Sequence, residues 1–199
     1  VAVFSRYKLL DNFKNLDLRI NNVKNLRINS RPLYDSIRSC YSGTSPNLYC
    51  NKTLKKSGGC NTKIFIEDFS LVLGIAKYGS FCFVDNVTSY GPKDDPSRIM
   101  VGKQTQLIHD FNAALYYFIK KNTDIPENFK RIACKKAIGR SEKWARRLKN
   151  KSFFNEMNWL RLKFWFGSKD YLKILKNTCL YFYNTFNDEE IRYKIDYSP

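Results

Sequence analysis

The segment GGCNTKIFIEDFSLVLGIAKYG, Gly58 to Gly79, governs the reading of this chain. Two glycines permit a left-handed helix end or a sharp turn. KIFI (Lys63 to Ile66) reads as the end of a short extended segment, with β-branched and aromatic residues. Glu67 and Asp68 then open an apolar run. Phe69, Val72, Leu73 and Ala76 fall on one helical stripe and Leu71, Ile75 and Tyr78 on another, so the helix is expected to be buried on more than one side. Gly79 ends it.

An acidic pair at a helix start has two readings. It can satisfy free backbone N–H groups and meet the positive end of the helix dipole. It can equally present a carboxylate, on a rigid element, to a hydroxyl whose proton must be removed.

Upstream, Val1 to Ser39 is polar, basic and rich in Asn, with room for one short strand and a helical turn. SGTSPNLY (Ser42 to Tyr49) is turn chemistry followed by an extended piece, and NKTLKKSGG is a helical turn closed by glycine. Downstream, FCFVDNVTSYG (Phe81 to Gly91) is a strand bounded by glycines. Asp95 and Pro96 suit the N-cap and first turn of the next helix. In that helix Leu107, Ile108, Phe111, Ala114, Leu115 and Phe118 keep helical spacing. Beyond Asn122 to Pro126 the chain becomes a succession of basic helices: PENFKRIACKKAIG, SEKWARRLKNK, FFNEMNWLRLKFWF and SKDYLKILKNTCLYFYNTF. The expected architecture is α/β over residues 1–122, then a mostly α-helical, basic, aromatic-rich region over 123–199.

The chain has 199 residues, 43% hydrophobic and 16% aromatic, which supports a packed core and argues against disorder. No apolar run reaches the roughly 18 residues that a spanning helix needs, and VAVFSRYKLL has no apolar core of signal length. Six cysteines without a CxxC pair, and a single histidine, exclude familiar zinc spacings. They read as reduced, mostly buried thiols of a cytosolic protein. The formal charge is +17, and Lys120 to Lys176 alone holds 17 Lys and Arg against 5 Asp and Glu. Such a bias points to a polyanionic partner: nucleic acid, an anionic membrane surface or phosphorylated ligands.

Taken together, SGTSPNLY…LKKSGGCNTKIFIEDFSLVLGIAKYGSFCFVDNVTSYG resembles the second half of the catalytic domain of family 2 glycosyltransferases of the GT-A type. Gly58 and Gly59 match the glycine pair of the family's GG-F-D segment, Glu67 and Asp68 its acidic pair, and LVLGIAKYG its following helix. The similarity covers about Ser42 to Gly91. It implies an inverting transfer of a sugar from a nucleotide-sugar donor to a hydroxyl of a glycan or lipid-linked acceptor. Asp68 would be the general base, Glu67 would orient the site or the acceptor, and the glycine pair would border it. A divalent metal, Mn or Mg, would neutralise the leaving diphosphate. Three departures stand out. Gly74 replaces a usual arginine, Cys60-Asn61 replaces the acid after the glycines, and no D-x-D triplet occurs in the sequence. The chain is therefore expected to be the C-terminal part of a longer transferase, inactive alone, at the cytosolic face of a membrane, in a bacterium with an AT-rich genome.

Other residues carry weaker expectations. Arg98 can reach a phosphate of donor or acceptor, or form a structural ion pair. His109 lies off the apolar stripe, on a face with Thr105, Asn112 and Tyr116. It is a candidate metal ligand beside Asp110, against the plainer reading of a surface or hydrogen-bonded histidine. The basic helices with Trp144, Trp159 and Trp165 fit an anionic membrane interface. Their plainer reading is an ordinary helical subdomain with its aromatics inside. The alternative to a transferase is a non-enzymatic protein: a membrane-surface adaptor, or a nucleic-acid binder that tracks phosphates and stacks bases.

Overall fold

The structure, a computed structural model, describes residues 1–11, 25–39, 46–93, 101–147 and 156–185, with residues 183–185 described by backbone alone. It is mixed α/β: among the described residues there is one open four-stranded sheet and seven helices. The chain divides into two compact units, residues 1–60 with 71–101 and residues 61–70 with 102–199.

The first unit holds β1 (Ala2–Leu10), β2 (Leu26–Asn29), α1 (Pro32–Arg38), β3 (Asn47–Tyr49), α2 (Asn51–Ser57), most of α3 (Glu67–Ala76) and β4 (Phe81–Pro92). The sheet order is β2-β4-β1-β3. The two central strands are parallel, in register from Ala2↔Phe81 to Leu10↔Pro92, with irregularities on either side of Arg6. The edge strands are antiparallel to their neighbours: β3 to β1 (Ala2↔Tyr49) and β2 to β4 (Leu26↔Val84). A parallel pair needs a long crossover, and here the chain from β1 to β4 contains every other element of the unit.

The nine-residue β1 is longer than the short strand expected of this polar stretch. Only Ala2 and Phe4 of β1 are fully buried, so its sequence carries little period-two signal. Phe4 lies 5.1 Å from Phe81 and 5.3 Å, stacked, from Phe83. With Leu71, Val72, Ile75 and Ala76 of α3 these residues make the core of the unit. Those four α3 residues come from both expected stripes, Val72 and Ala76 from one and Leu71 and Ile75 from the other.

KIFI is not extended. Lys63 to Phe65 form turns and bends, and Ile64 and Ile66 are buried there. Asn61 fixes the turn by accepting the Lys63 N–H at 3.0 Å and donating its own N–H to Ser70 Oγ at 2.9 Å. Side chain–backbone bonding of this kind offers the chain an alternative to a strand.

The second unit is helical: α4 (Gln104–Lys121), α5 (Glu127–Arg147), α6 (Glu156–Trp165) and α7 (Tyr171–Thr185), with residues 61–70. Helix α4 packs on α5 and α7, and α6 on α5 and α7. Its core joins Leu115 and Ile119 of α4, Ala133, Cys134, Ala137 and Ile138 of α5, Leu160 and Phe164 of α6, and Leu175, Cys179 and Phe182 of α7. The two helices expected from PENFKRIACKKAIG and SEKWARRLKNK run together as α5. Gly139 at the join is exposed, and a side chain there would meet nothing within 4 Å, so it costs propensity without breaking the helix. Helix α4 begins at Gln104. The start expected at Asp95 and Pro96 lies outside the described residues, as does Cys40.

Candidate functional site

Glu67 and Asp68 occupy the first turn of α3 and are exposed. Asp68 Oδ1 accepts the Phe69 N–H at 2.7 Å. Partial withdrawal from water pushes the Asp68 carboxyl above the ordinary carboxylate range. The Phe69 N–H opposes this rise, and the charge of Glu67 adds to it. A carboxyl moved in this direction holds a proton more readily, as a general base must at the moment of transfer. The helix start beneath it is fixed. Ser70 Oγ donates to Glu67 O at 2.6 Å, and Phe69 packs edge-on against Phe111 at 5.0 Å.

Gly58 and Gly59 belong to the first unit, whereas the acidic pair belongs to the second. Gly58 closes α2 with φ 87° and Gly59 follows with φ 73°, the left-handed conformation anticipated for this pair. The Gly58 N–H reaches Lys55 O at 3.2 Å and the Gly59 N–H reaches Leu54 O at 3.3 Å, satisfying carbonyls at the helix end. Gly74, the position of the expected arginine, also has a physical reason. A Cβ there would stand 3.3 Å from Ser57 Cβ, so α2 and α3 approach too closely for a long side chain.

His109 is hydrogen-bonded, as its plainer reading had it, but it is interior: 0% of the residue is exposed. Its Nδ1 lies 2.6 Å from Asp110 Oδ1. The same oxygen accepts from Gln106 Nε2 at 2.8 Å, and Asp110 Oδ2 accepts the Phe65 N–H at 2.5 Å. With both carboxyl oxygens accepting, Nδ1 is the donor of the pair. One turn further on, Asn112 donates to Ser141 Oγ at 2.9 Å and accepts from Arg140 at 3.1 Å. The polar face of α4 is therefore as buried as its apolar stripe. The sequence carries a sign of this in the spacing of Gln106, Asp110 and Asn112, but Phe65 lies 45 residues from Asp110 and Ser141 lies 29 from Asn112.

Among the described residues no three His, Cys, Asp or Glu side chains stand together as a metal site requires. Arg98 lies outside the described residues.

The sequence marked Trp159 and Trp165 as candidates for an interface, but not the side of α6 that they occupy. Met157, Leu160 and Phe164 are buried, but Trp159 is 54% exposed, Leu162 41%, Trp165 67% and Phe166, just past the helix, 88%. Beside this side, Trp159 and Lys163 line a surface groove of about 330 Å³ with Asn177, Leu180 and Tyr181 of α7. No described helix is long and apolar enough to cross a membrane.

No family model, no curated protein and no solved structure matches this chain.

Proposed function

We propose that this chain carries the acceptor side of an inverting glycosyltransferase of GT-A type, with Asp68 as the general base. The observation that carries the reading is the placement of Asp68. It is exposed, anchored on the first turn of a packed helix, and its carboxyl is shifted toward higher pKa. The order of elements supports it too. A glycine-capped helix, an acidic helix start and a long strand follow one another as the resemblance requires.

In the proposed step, Asp68 takes the proton of the acceptor hydroxyl as its oxygen bonds the anomeric carbon, while the bond from that carbon to the nucleoside diphosphate breaks. Attack from the side opposite the leaving group inverts the centre. Base catalysis of this kind contributes about 10²- to 10⁴-fold. Glu67 keeps its place as the neighbour that orients the acceptor and raises the basicity of Asp68. A Mn or Mg ion would neutralise the leaving diphosphate; among the described residues no group of three His, Cys, Asp or Glu stands together to hold it. The acceptor is a glycan or a lipid-linked sugar, reached from the cytosolic face of a membrane on which the basic helices rest.

The test uses the protein as its source cell makes it. It is incubated with a panel of radiolabelled nucleotide sugars and a lipid extract of the same cells. Label transferred to a glycan or lipid product, and lost with Asp68→Asn, supports the reading. Absence of transfer from every donor, or transfer that ignores the substitution, overturns it.

A further inference from the structure

We propose that the outward face of α6 docks on an anionic phospholipid bilayer. Trp159, Leu162, Trp165 and Phe166 would enter the boundary between headgroups and acyl chains, with Arg161 and Lys163 meeting lipid phosphates along its edges. This deepens the reading of a peripheral enzyme with a lipid-linked acceptor and rests on it, but its test involves no sugar transfer.

The sequence EMNWLRLKFWF is apolar on two opposite sides of one helix. Met157, Leu160 and Phe164 recur at a spacing of three and four and face the core, where all three are buried. Trp159, Leu162 and Trp165 recur every three residues on the other side. A helix apolar all round is normally buried all round. Here the outer side, with two of the chain's three tryptophans, faces water. Soluble surfaces scatter their large apolar groups singly, whereas a contiguous stripe marks an interaction surface.

The helix has ten residues, about 15 Å at 1.5 Å per residue, so it can lie in an interface but not cross the roughly 30 Å hydrocarbon core. Tryptophan favours that interface because its ring is apolar and its N–H can stay hydrated.

Charge selects the occupant. At helical spacing Arg161 borders the apolar stripe on one side and Lys163 on the other. The Arg161 guanidinium lies 5.0 Å from the centre of the Trp165 ring and 3.4 Å from Glu142. Residues 156–185 hold five cations (Arg161, Lys163, Lys169, Lys173 and Lys176) against Glu156 and Asp170. A second copy of a chain of charge +17 would set like charge against like. An anionic leaflet attracts each lysine or arginine that comes near it.

The test follows tryptophan fluorescence of the full chain with vesicles of phosphatidylglycerol and phosphatidylcholine, some carrying brominated acyl chains. The expected result is a blue shift with quenching by the brominated lipid. Trp159→Phe with Trp165→Phe should abolish the quenching, because the remaining Trp144 is buried in the protein. Replacing Trp159, Trp165 and Phe166 by Gln should weaken binding at least about tenfold, and vesicles of phosphatidylcholine alone should bind at least about tenfold less than the anionic ones. Quenching in the wild-type chain requires no variant to fold, and circular dichroism checks those that are used. Vesicle binding without quenching of Trp159 and Trp165, or unchanged in the Gln variant, overturns the role of α6 while the membrane placement stands. No vesicle binding overturns both. Fluorescence changes with oligothymidylate but not with vesicles would assign the face to single-stranded nucleic acid instead.

Discussion

Asp68 Oδ1 and the amide of Phe69 are joined at 2.7 Å, yet that amide already has a second acceptor in Ile66 O at 3.1 Å. A capping side chain normally stands just before the helix and satisfies an N–H that has no other partner. Asp68 instead stands inside the first turn and duplicates a backbone bond. Its carboxyl is raised in pKa, so its charged form is less favoured in the folded chain than in water. Capping therefore explains its presence poorly.

The polar interior of the second unit makes a separate prediction. Asp110 receives Gln106, His109 and the Phe65 N–H, all inside the protein. Asp110→Ala removes the shared acceptor of these three donors and should lower the stability of the chain by about 3 kcal/mol. Asp110→Asn should cost nearly as much, because an amide NH₂ would face groups that themselves donate. Urea unfolding measures both. A loss below about 1 kcal/mol would show that the donors find other partners.

Gly74 tests the close approach of α2 and α3. In an open helix Gly→Ala gains about 1 kcal/mol. Here the new methyl would meet Ser57 Cβ at 3.3 Å, so the gain should be largely cancelled. Gly74→Arg, which restores the residue expected at this position, should destabilise by about 2 kcal/mol through overpacking. A thermal unfolding series reads both, and an arginine variant as stable as wild type would contradict the contact.

The cysteines differ in a way that alkylation can resolve. Cys50 is exposed and its thiol is lowered, chiefly by the backbone N–H of Thr53. Peptide mapping after timed alkylation should find Cys50 reacting at lower pH in the folded chain than in urea. Cys134 is buried, and burial pushes its thiol from 9.0 up to about 12. It should stay unlabelled until the chain unfolds. Because its folded pKa is the higher one, its contribution to stability is complete below pH 9 and is lost as pH rises toward 12. Cys134→Ala should flatten the fall in stability across that window, and an unchanged slope would exclude this thiol as its source.

Much of the region around the glycine pair was legible. The pattern of NKTLKKSGG foretold α2 and its left-handed cap, and the double stripe after Asp68 foretold α3. Strand β4 announced itself through β-branched and aromatic residues. What was not legible depends on distant partners. Strand β1 buries only Ala2 and Phe4 and owes its length to pairing with β4, some eighty residues on. KIFI has strand-forming residues, but Asn61 and Asp110 bond its backbone as a turn. His109 looked polar and outward because, although its partner Asp110 is the next residue, the Phe182 ring packed on it comes from α7. The boundary expected at residue 122 falls between α4 and α5, within the second unit, because the buried polar face of α4 packs on helices.

The most direct measurement compares Asp68→Asn with wild type in the protein as its source cell makes it, reading transfer rate and melting temperature on the same samples. The account predicts a loss of turnover of at least about 10²-fold, with a melting temperature unchanged or slightly higher. Turnover within a few-fold of wild type, or a loss of activity that merely follows a fall in melting temperature, would contradict Asp68 as the base.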